Sequence, residues 1–239
     1  MLLRGGGTCP KLGAMGVAAA MILAIADLLS AADLAAVRAR LADAAFEDGG
    51  ATAGWSARLV KSNLQARQGG QAEAARSLIE ERLREHAVFA LATRSKTIIG
   101  PLFSCYQVGH AYGLHVDDAL MGGVRTDVAF TLFLSPLEAY DGGELIIESA
   151  AGAEAFRLPA GSLVSYPATS LHRVAPVTRG SRLVAAGWVR SFVRDPQHRE
   201  LLFDLDTARR RLFDREGKTA EADLLAKCTA NLLRHWCDD

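Results

Sequence analysis

The sequence has few cysteines and no net charge. Its four cysteines, Cys9, Cys105, Cys228 and Cys237, are scattered without a CxxC pair. They give no zinc-ribbon signal and no dense disulfide framework, so a reducing cytoplasm is the simpler setting. Lys plus Arg and Asp plus Glu balance at 27 each. No global field therefore draws in nucleic acid, and an acidic ligand has to be met by a local cluster. Internal repeats and low-complexity tracts are lacking too. No apolar run reaches the roughly 20 residues a spanning helix needs, because Asp27 cuts short the stretch from Met15 to Ile25; no membrane partner is expected. That stretch, with Arg4 and Lys11 ahead of it, loosely imitates a signal peptide but lacks a clean cleavage site followed by a polar mature start. Residues 1–20 read as an N-terminal extension, with Met21 as an alternative start.

What is present suits a globular protein. Half of the 239 residues are hydrophobic and 23% are charged, enough to bury a sizeable core. Ser30-Ala-Ala-Asp33 opens a helix, with a hydroxyl to cap a free N–H and a carboxylate in the first turn. Leu34, Val37, Leu41 and Ala45 carry it to about Phe46, and Gly49-Gly50 ends it. The polar stretch from Gln65 to Gln71 reads as a loop, and a second helix runs from about Ala72 to Ala92. From Thr97 short β-rich runs follow: Leu102–Val108, Val128–Leu134, Glu144–Glu148, Ala155–Leu158, Leu163–Tyr166 and Leu183–Val189, separated by Gly- and Pro-bearing turns. After Pro196 helix returns, over Arg199–Arg215 and Ala220–Trp236. The expected fold is α+β: a double-stranded β-helix (jelly-roll) core buttressed by N-terminal helices and followed by C-terminal ones. The expected division is extension 1–20, helical region 21–96, jelly-roll domain 97–193 and helical region 194–239.

The chemistry concentrates in His115-Val116-Asp117. Side chains two apart on a strand share a face, so this imidazole and carboxylate can converge on one point. Alone, a His-x-Asp pair is more often a surface hydrogen bond than a metal site. His172, beyond the strand Leu163–Tyr166 and the loop Pro167–Leu171, supplies the natural third ligand. Two His and one carboxylate on one face form the facial triad of non-haem iron(II) oxygenases, which leaves positions open for a chelating co-substrate and dioxygen. Arg182 then begins an apolar strand, a costly place for a guanidinium unless it meets an anion. Its planar fork suits a carboxylate. The distal carboxylate of 2-oxoglutarate would be that anion; a structural ion pair is the alternative. Zinc also accepts such a triad, but a zinc hydrolase lacks a convincing general base here and leaves Arg182 without a purpose.

The stretches Tyr106-Gln-Val-Gly109-His-Ala-Tyr112-Gly-Leu-His115-Val-Asp117, Arg125-Thr-Asp127, Tyr140-Asp-Gly-Gly-Glu144-Leu and Leu158-Pro-Ala-Gly161 carry a resemblance. It continues through Tyr166-Pro, Ser170-Leu-His172-Arg-Val, Val177-Thr-Arg-Gly180-Ser-Arg182, Val193-Arg-Asp195 and Leu201-Leu-Phe-Asp-Leu-Asp206. From about Met21 to its end the chain resembles the PKHD-type hydroxylases, iron/2-oxoglutarate oxygenases related to prolyl 4-hydroxylases. The resemblance implies iron at His115, Asp117 and His172, 2-oxoglutarate on Arg182, a jelly-roll core and L-ascorbate to keep iron reduced. Tyr106 resembles the tyrosine that hydrogen-bonds the co-substrate in the wider group; a core aromatic is the alternative. Asp118 stands where Asn is commoner in the family. The resemblance further implies hydroxylation of an unactivated C–H with release of succinate and carbon dioxide. Because Asp117 is present, hydroxylation is favoured over the halogenation of relatives that lack this carboxylate.

Several residues are read more modestly. Thr131 and Phe133 share a strand face and could line the co-substrate pocket, with ordinary sheet packing the better expectation for both. Cys105 reads as core and His110 as a loop histidine. Arg125, Asp127, Arg173 and Arg190 are divided between orienting ligands and facing substrate, without a way to sort them. Arg209-Arg210-Arg211 reads as a solvated face. Expected partners are 2-oxoglutarate, dioxygen and a peptide or small-molecule substrate, with Ala220–Trp236 free to pack on its own core or on a second copy. A non-catalytic iron- or oxygen-sensing module is the competing reading, which an intact Arg182 disfavours.

Overall fold

The computed structural model describes residues 21–52, 54–149 and 151–238; the expected N-terminal extension lies outside them. Helix α1 (Ala31–Ala42) starts where the sequence caps it, with the Ser30 hydroxyl accepting from the Asp33 N–H at 3.1 Å. It ends at Asp43, short of the expected Phe46. The long helix expected over 72–92 is two: α2 (Gly70–Glu85) and α3 (Ala87–Thr93). His86 leaves helical geometry at ψ 109° and its Nδ1 accepts from the Phe89 N–H, so the side chain that ends one helix caps the next. Val37, Leu41, Ala75, Ile79, Leu83 and Phe89 form the buried face of this layer. A fully buried Ile or Leu among them contributes roughly 2 kcal/mol of transfer free energy.

The strands are β1 (Leu23–Ile25), β2 (Phe46–Asp48), β3 (Lys61–Ser62), β4 (Leu64–Ala66), β5 (Ser95–Gln107), β6 (Ala111–His115), β7 (Leu120–Met121) and β8 (Val124–Arg125). They continue as β9 (Val128–Phe133), β10 (Tyr140–Gly142), β11 (Leu145–Ser149), β12 (Gly152–Phe156), β13 (Leu163–Pro167), β14 (His172–Val174) and β15 (Val177–Ser191). The major sheet runs β1-β13-β9-β15-β5-β4-β2, with β10 also on β15; the minor sheet runs β12-β11-β14-β6-β3. The stretch expected as a loop from Gln65 thus begins inside β4, where Gln65 is buried against Ser104 of β5. Its polarity hid it: Gln65 is buried because it has a hydrogen-bond partner, which periodicity does not reveal.

Alternation along β9 divides the interior. Val128, Phe130 and Leu132 pack under the N-terminal helices, while Ala129 and Phe133 face the minor sheet together with Val164, Tyr166, Val184, Leu145 and Ile147. Both faces of the major sheet are therefore covered, one by helices and one by a second sheet, as in a double-stranded β-helix. Helices α4 (Pro196–Glu216) and α5 (Ala220–Trp236) follow, capped by Asp195 and Thr219. They return to the core through the Arg94–Asp206 ion pair, a bridge between Val193 and Cys237, and Arg125, which donates to Asp127 and to Asp238. No helix of the described residues is long and apolar enough to cross a membrane.

Candidate metal centre and co-substrate pocket

His115 closes β6 and His172 opens β14, and the two are direct cross-strand partners. Asp117 lies beyond the end of β6, so it does not reach the site by sharing a strand face with His115 as the spacing suggested; the turn after the strand swings it in. Asp117 Oδ1 stands 3.7 Å from His172 Nε2 and 3.9 Å from His115 Nε2. One donor atom from each residue falls within 4.8 Å of the others, a spacing that one ion at bonding distance from all three can span.

The tautomers suit a metal. His115 Nδ1 lies 2.8 Å from the Gly113 carbonyl and His172 Nδ1 lies 3.1 Å from the Ser170 carbonyl. A ring nitrogen facing a carbonyl must be the protonated one, which leaves Nε2 with its lone pair. Burial, helped by neighbouring His172, pulls His115 down to about 4, so it is neutral at physiological pH. Burial pushes the Asp117 carboxyl above its usual range, opposed by His172 and by a hydrogen bond from Trp188. A cation between the three groups would offset that buried charge.

A β-bulge shapes the wall of the site. Between the pairs His172–His115 and Val174–Tyr112, β14 spends one residue where β6 spends two. The extra residue puts Tyr112 on the same side as His115, and their rings stack at 3.6 Å and 15°. Gly113 sits in this bulge, where a Cβ would meet Val60 at 2.7 Å. Beyond Tyr112, the Lys61 ammonium lies 5.3 Å from the ring centre, its pKa lowered by burial to about 8.

Arg182 lies in the same cleft, which encloses about 880 Å³ of empty space, part of it open to solvent. It is only 1% exposed, yet its Nε and one terminal nitrogen meet no hydrogen-bond partner among the described residues. Tyr106, its cross-strand partner, and Phe133 hold ring centres 5.2 and 5.4 Å from the guanidinium. Burial lowers its pKa while the phenols of Tyr106, Tyr140 and Tyr166 favour the charged form. None of the ion pairs among the described residues involves Arg182. Gly143, at φ 67°, makes the room: a Cβ there would stand 2.9 Å from both Arg182 Cδ and Val177 Cγ2.

Tyr106 lines the cleft and is buried. Thr131 also lines it, so sheet packing is not its whole role, whereas Phe133 packs beneath Arg182. Cys105 is half-buried beside Ser181 rather than core. His110 is held in the turn by the Gln107 N–H, away from the triad. Arg125 and Asp127 secure Ser191 and the C-terminal segment rather than the site. Sequence reasoning missed Trp188, Lys61 and Tyr112. For Trp188 a signal existed, since it stands at an even offset from Arg182 on one strand. Lys61, on a two-residue strand, offered none.

Residues 101–190 match the family model of the 2OG-Fe(II) oxygenase superfamily, and residues 196–238 match that of the PKHD-type hydroxylase C-terminal domain. A PKHD-type hydroxylase of Synechococcus sp. (strain JA-2-3B'a(2-13)) is 52% identical over 223 residues, covering 91% of this chain and 100% of the relative. One of Acaryochloris marina is 52% identical over 221 residues with the same coverage. Among solved structures, a Pseudomonas putida prolyl-4-hydroxylase matches with a TM-score of 0.53 at 21% identity, covering 72% of this chain and 93% of its own. A prolyl hydroxylase of Trichoplax adhaerens matches with a TM-score of 0.52 at 15% identity, covering 75% and 86%; at such identities these two show the fold. With half of its residues shared along nearly the whole chain, and a family model matched on each side of Pro196, this protein belongs to the PKHD-type hydroxylases of the 2OG-Fe(II) oxygenase superfamily.

Proposed function

We propose that His115, Asp117 and His172 hold the iron(II) that this family uses, and that Arg182 with Tyr106 holds the far carboxylate of 2-oxoglutarate. The observation that carries the second half is the buried guanidinium of Arg182, with two nitrogens unpartnered among the described residues, in the cleft that also contains the triad. A bidentate carboxylate would satisfy both nitrogens and offset the buried charge. The donor set of two imidazoles and one carboxylate fits iron(II).

The two histidines present Nε2 because their other nitrogens are spent on backbone carbonyls. Asp117 presents Oδ1. Arg182 orients the co-substrate, and the Tyr106 hydroxyl adds a donor to the same carboxylate. Apolar walls such as Leu145, Val174 and Val184 exclude water. When bound, iron with 2-oxoglutarate and dioxygen would supply the oxidation that replaces a substrate C–H by C–OH, one oxygen atom of dioxygen going to the hydroxyl and the other to succinate as 2-oxoglutarate loses carbon dioxide. L-Ascorbate would keep the iron reduced. Residues 97–193 would carry this chemistry, with 21–96 and 194–239 as its helical supports and 1–20 as an extension. Free thiols at Cys105, Cys228 and Cys237 suit a reducing cytoplasm.

The substrate is either peptidyl proline or lysine, or a small metabolite such as a siderophore. A succinate-release screen over peptides and metabolites, followed by mass spectrometry for one added oxygen, separates the two. Succinate that rises with substrate establishes the enzyme; a protein that binds iron and 2-oxoglutarate without turnover on any of them is the sensing module instead. Asp117→Ala should lower turnover by more than the ~100-fold typical of losing an outer partner of a metal ligand. Full activity in that variant without added carboxylate would sink the triad.

A further inference from the structure

Asp117 is the least supported of the three candidate ligands. The histidines are fixed by a cross-strand pair and by their own backbone carbonyls, but the carboxylate stands outside any strand. One contact stands out. Trp188 Nε1 donates to Asp117 Oδ2 at 2.8 Å, while the other oxygen, Oδ1, is the one that faces both histidines. We propose that Trp188 is the positioning residue of the metal centre, holding Asp117 as a one-oxygen ligand by occupying its second oxygen.

Three features support this. Trp188 comes from β15, paired on both sides: it faces Ile99 of β5 and Ala129 of β9. The pairing with β9 is regular through Trp188, while β5 passes it with a bulge, so its backbone is held on both sides where that of Asp117 lies outside any strand. The indole N–H is a donor only, so it neither competes for a metal nor removes the carboxylate's charge, as a cationic partner would partly do. Finally, Arg182, Val184, Ala186 and Trp188 all line the cleft at alternate positions of this strand. One rigid strand would therefore set both ends of the site, the co-substrate anchor and the carboxylate clamp, about 20 Å apart along the chain at ~3.3 Å per residue. Holding one carboxylate oxygen would keep Asp117 from offering both to a bound metal, leaving room for the co-substrate or dioxygen.

The inference rests on the metal site proposed above, and its test separates the two. Trp188→Phe keeps an aromatic ring and removes the donor. Calorimetric titration of full-length wild-type and variant protein with Mn(II) alone, without co-substrate, should show a 10- to 100-fold weaker affinity in the variant, on the order seen when partners of ligating groups are removed. Co(II) spectra of the two should differ, because a carboxylate freed to bind through both oxygens changes the coordination number. A purely structural indole would lower the melting temperature of the metal-free protein without changing either readout. Wild-type protein that fails to bind Mn(II) overturns the metal site itself; equal affinity and equal Co(II) spectra in the folded variant overturn the role of Trp188 alone. If Trp188→Phe does not fold, indole-labelled wild-type protein decides by NMR. The Trp188 Nε1–H should be slow to exchange and shift on adding Zn(II), and an N–H that exchanges freely and ignores the metal contradicts the proposal.

Discussion

A guanidinium buried as deeply as that of Arg182, with two nitrogens unpartnered among the described residues, is costly to keep until an anion arrives. The side chain that tolerates this cost has room because Gly143 lacks a Cβ. Gly143→Ala would put a methyl 2.9 Å from Arg182 Cδ and from Val177 Cγ2, at a φ of 67°. The left-handed backbone alone costs an alanine about 1–2 kcal/mol, and the collision displaces the Arg182 side chain. The expected result is 2-oxoglutarate binding weakened about tenfold, ~1.4 kcal/mol, with Mn(II) affinity unchanged; calorimetry with each ligand in turn reads both. Equal 2-oxoglutarate affinity would mean that the anchor lies elsewhere. Arg182 itself was legible as a charge out of place in an apolar strand. Gly143 was not, since the demand on it comes from a side chain on another strand.

Between residues and the whole chain, local signals worked where a side chain acts on its own backbone. Ser30 caps α1, Asp195 and Pro196 start α4, and Thr219 starts α5, all within a turn of where the sequence places them. Ser30→Ala should cost about 1 kcal/mol, read as a lowered urea midpoint at unchanged slope. A loss below a few tenths would show that the nearby Asp33–Arg82 pair, 3.1 Å apart and tying α1 to α2, holds the helix start without the cap. Signals failed where pairing decides. Strands β2, β3 and β4 span two or three residues each and show no alternation to read. The bulge in β6 is defined only against β14, and it gives Tyr112 and His115 one face against the simple alternation of a strand.

At the scale of the whole molecule, the C-terminal helices are joined to the core by charge as well as by packing. Asp206 is 4% exposed and receives Arg94 from the end of α3 and Arg209 from its own helix. Asp206→Ala leaves Arg94 without its buried counter-ion and should cost about 3 kcal/mol, measured by urea denaturation of the full chain. A change within ~1 kcal/mol would class the pair as solvent-screened. The sequence by itself determined the starts of α1, α4 and α5 to within a turn, the β-rich middle and the jelly-roll class, and it singled out four polar residues as site candidates, because capping, alternation and the cost of a charge in an apolar run act over a few neighbouring positions. Only the tertiary structure decided which faces meet: that Asp117 reaches the histidines from beyond the strand, that Thr131 joins the cleft while Arg125 leaves it for the C-terminal segment, and that Trp188 holds the second carboxylate oxygen. Those facts depend on register between strands far apart in the chain, and a shift of one residue there turns every side chain to the opposite face.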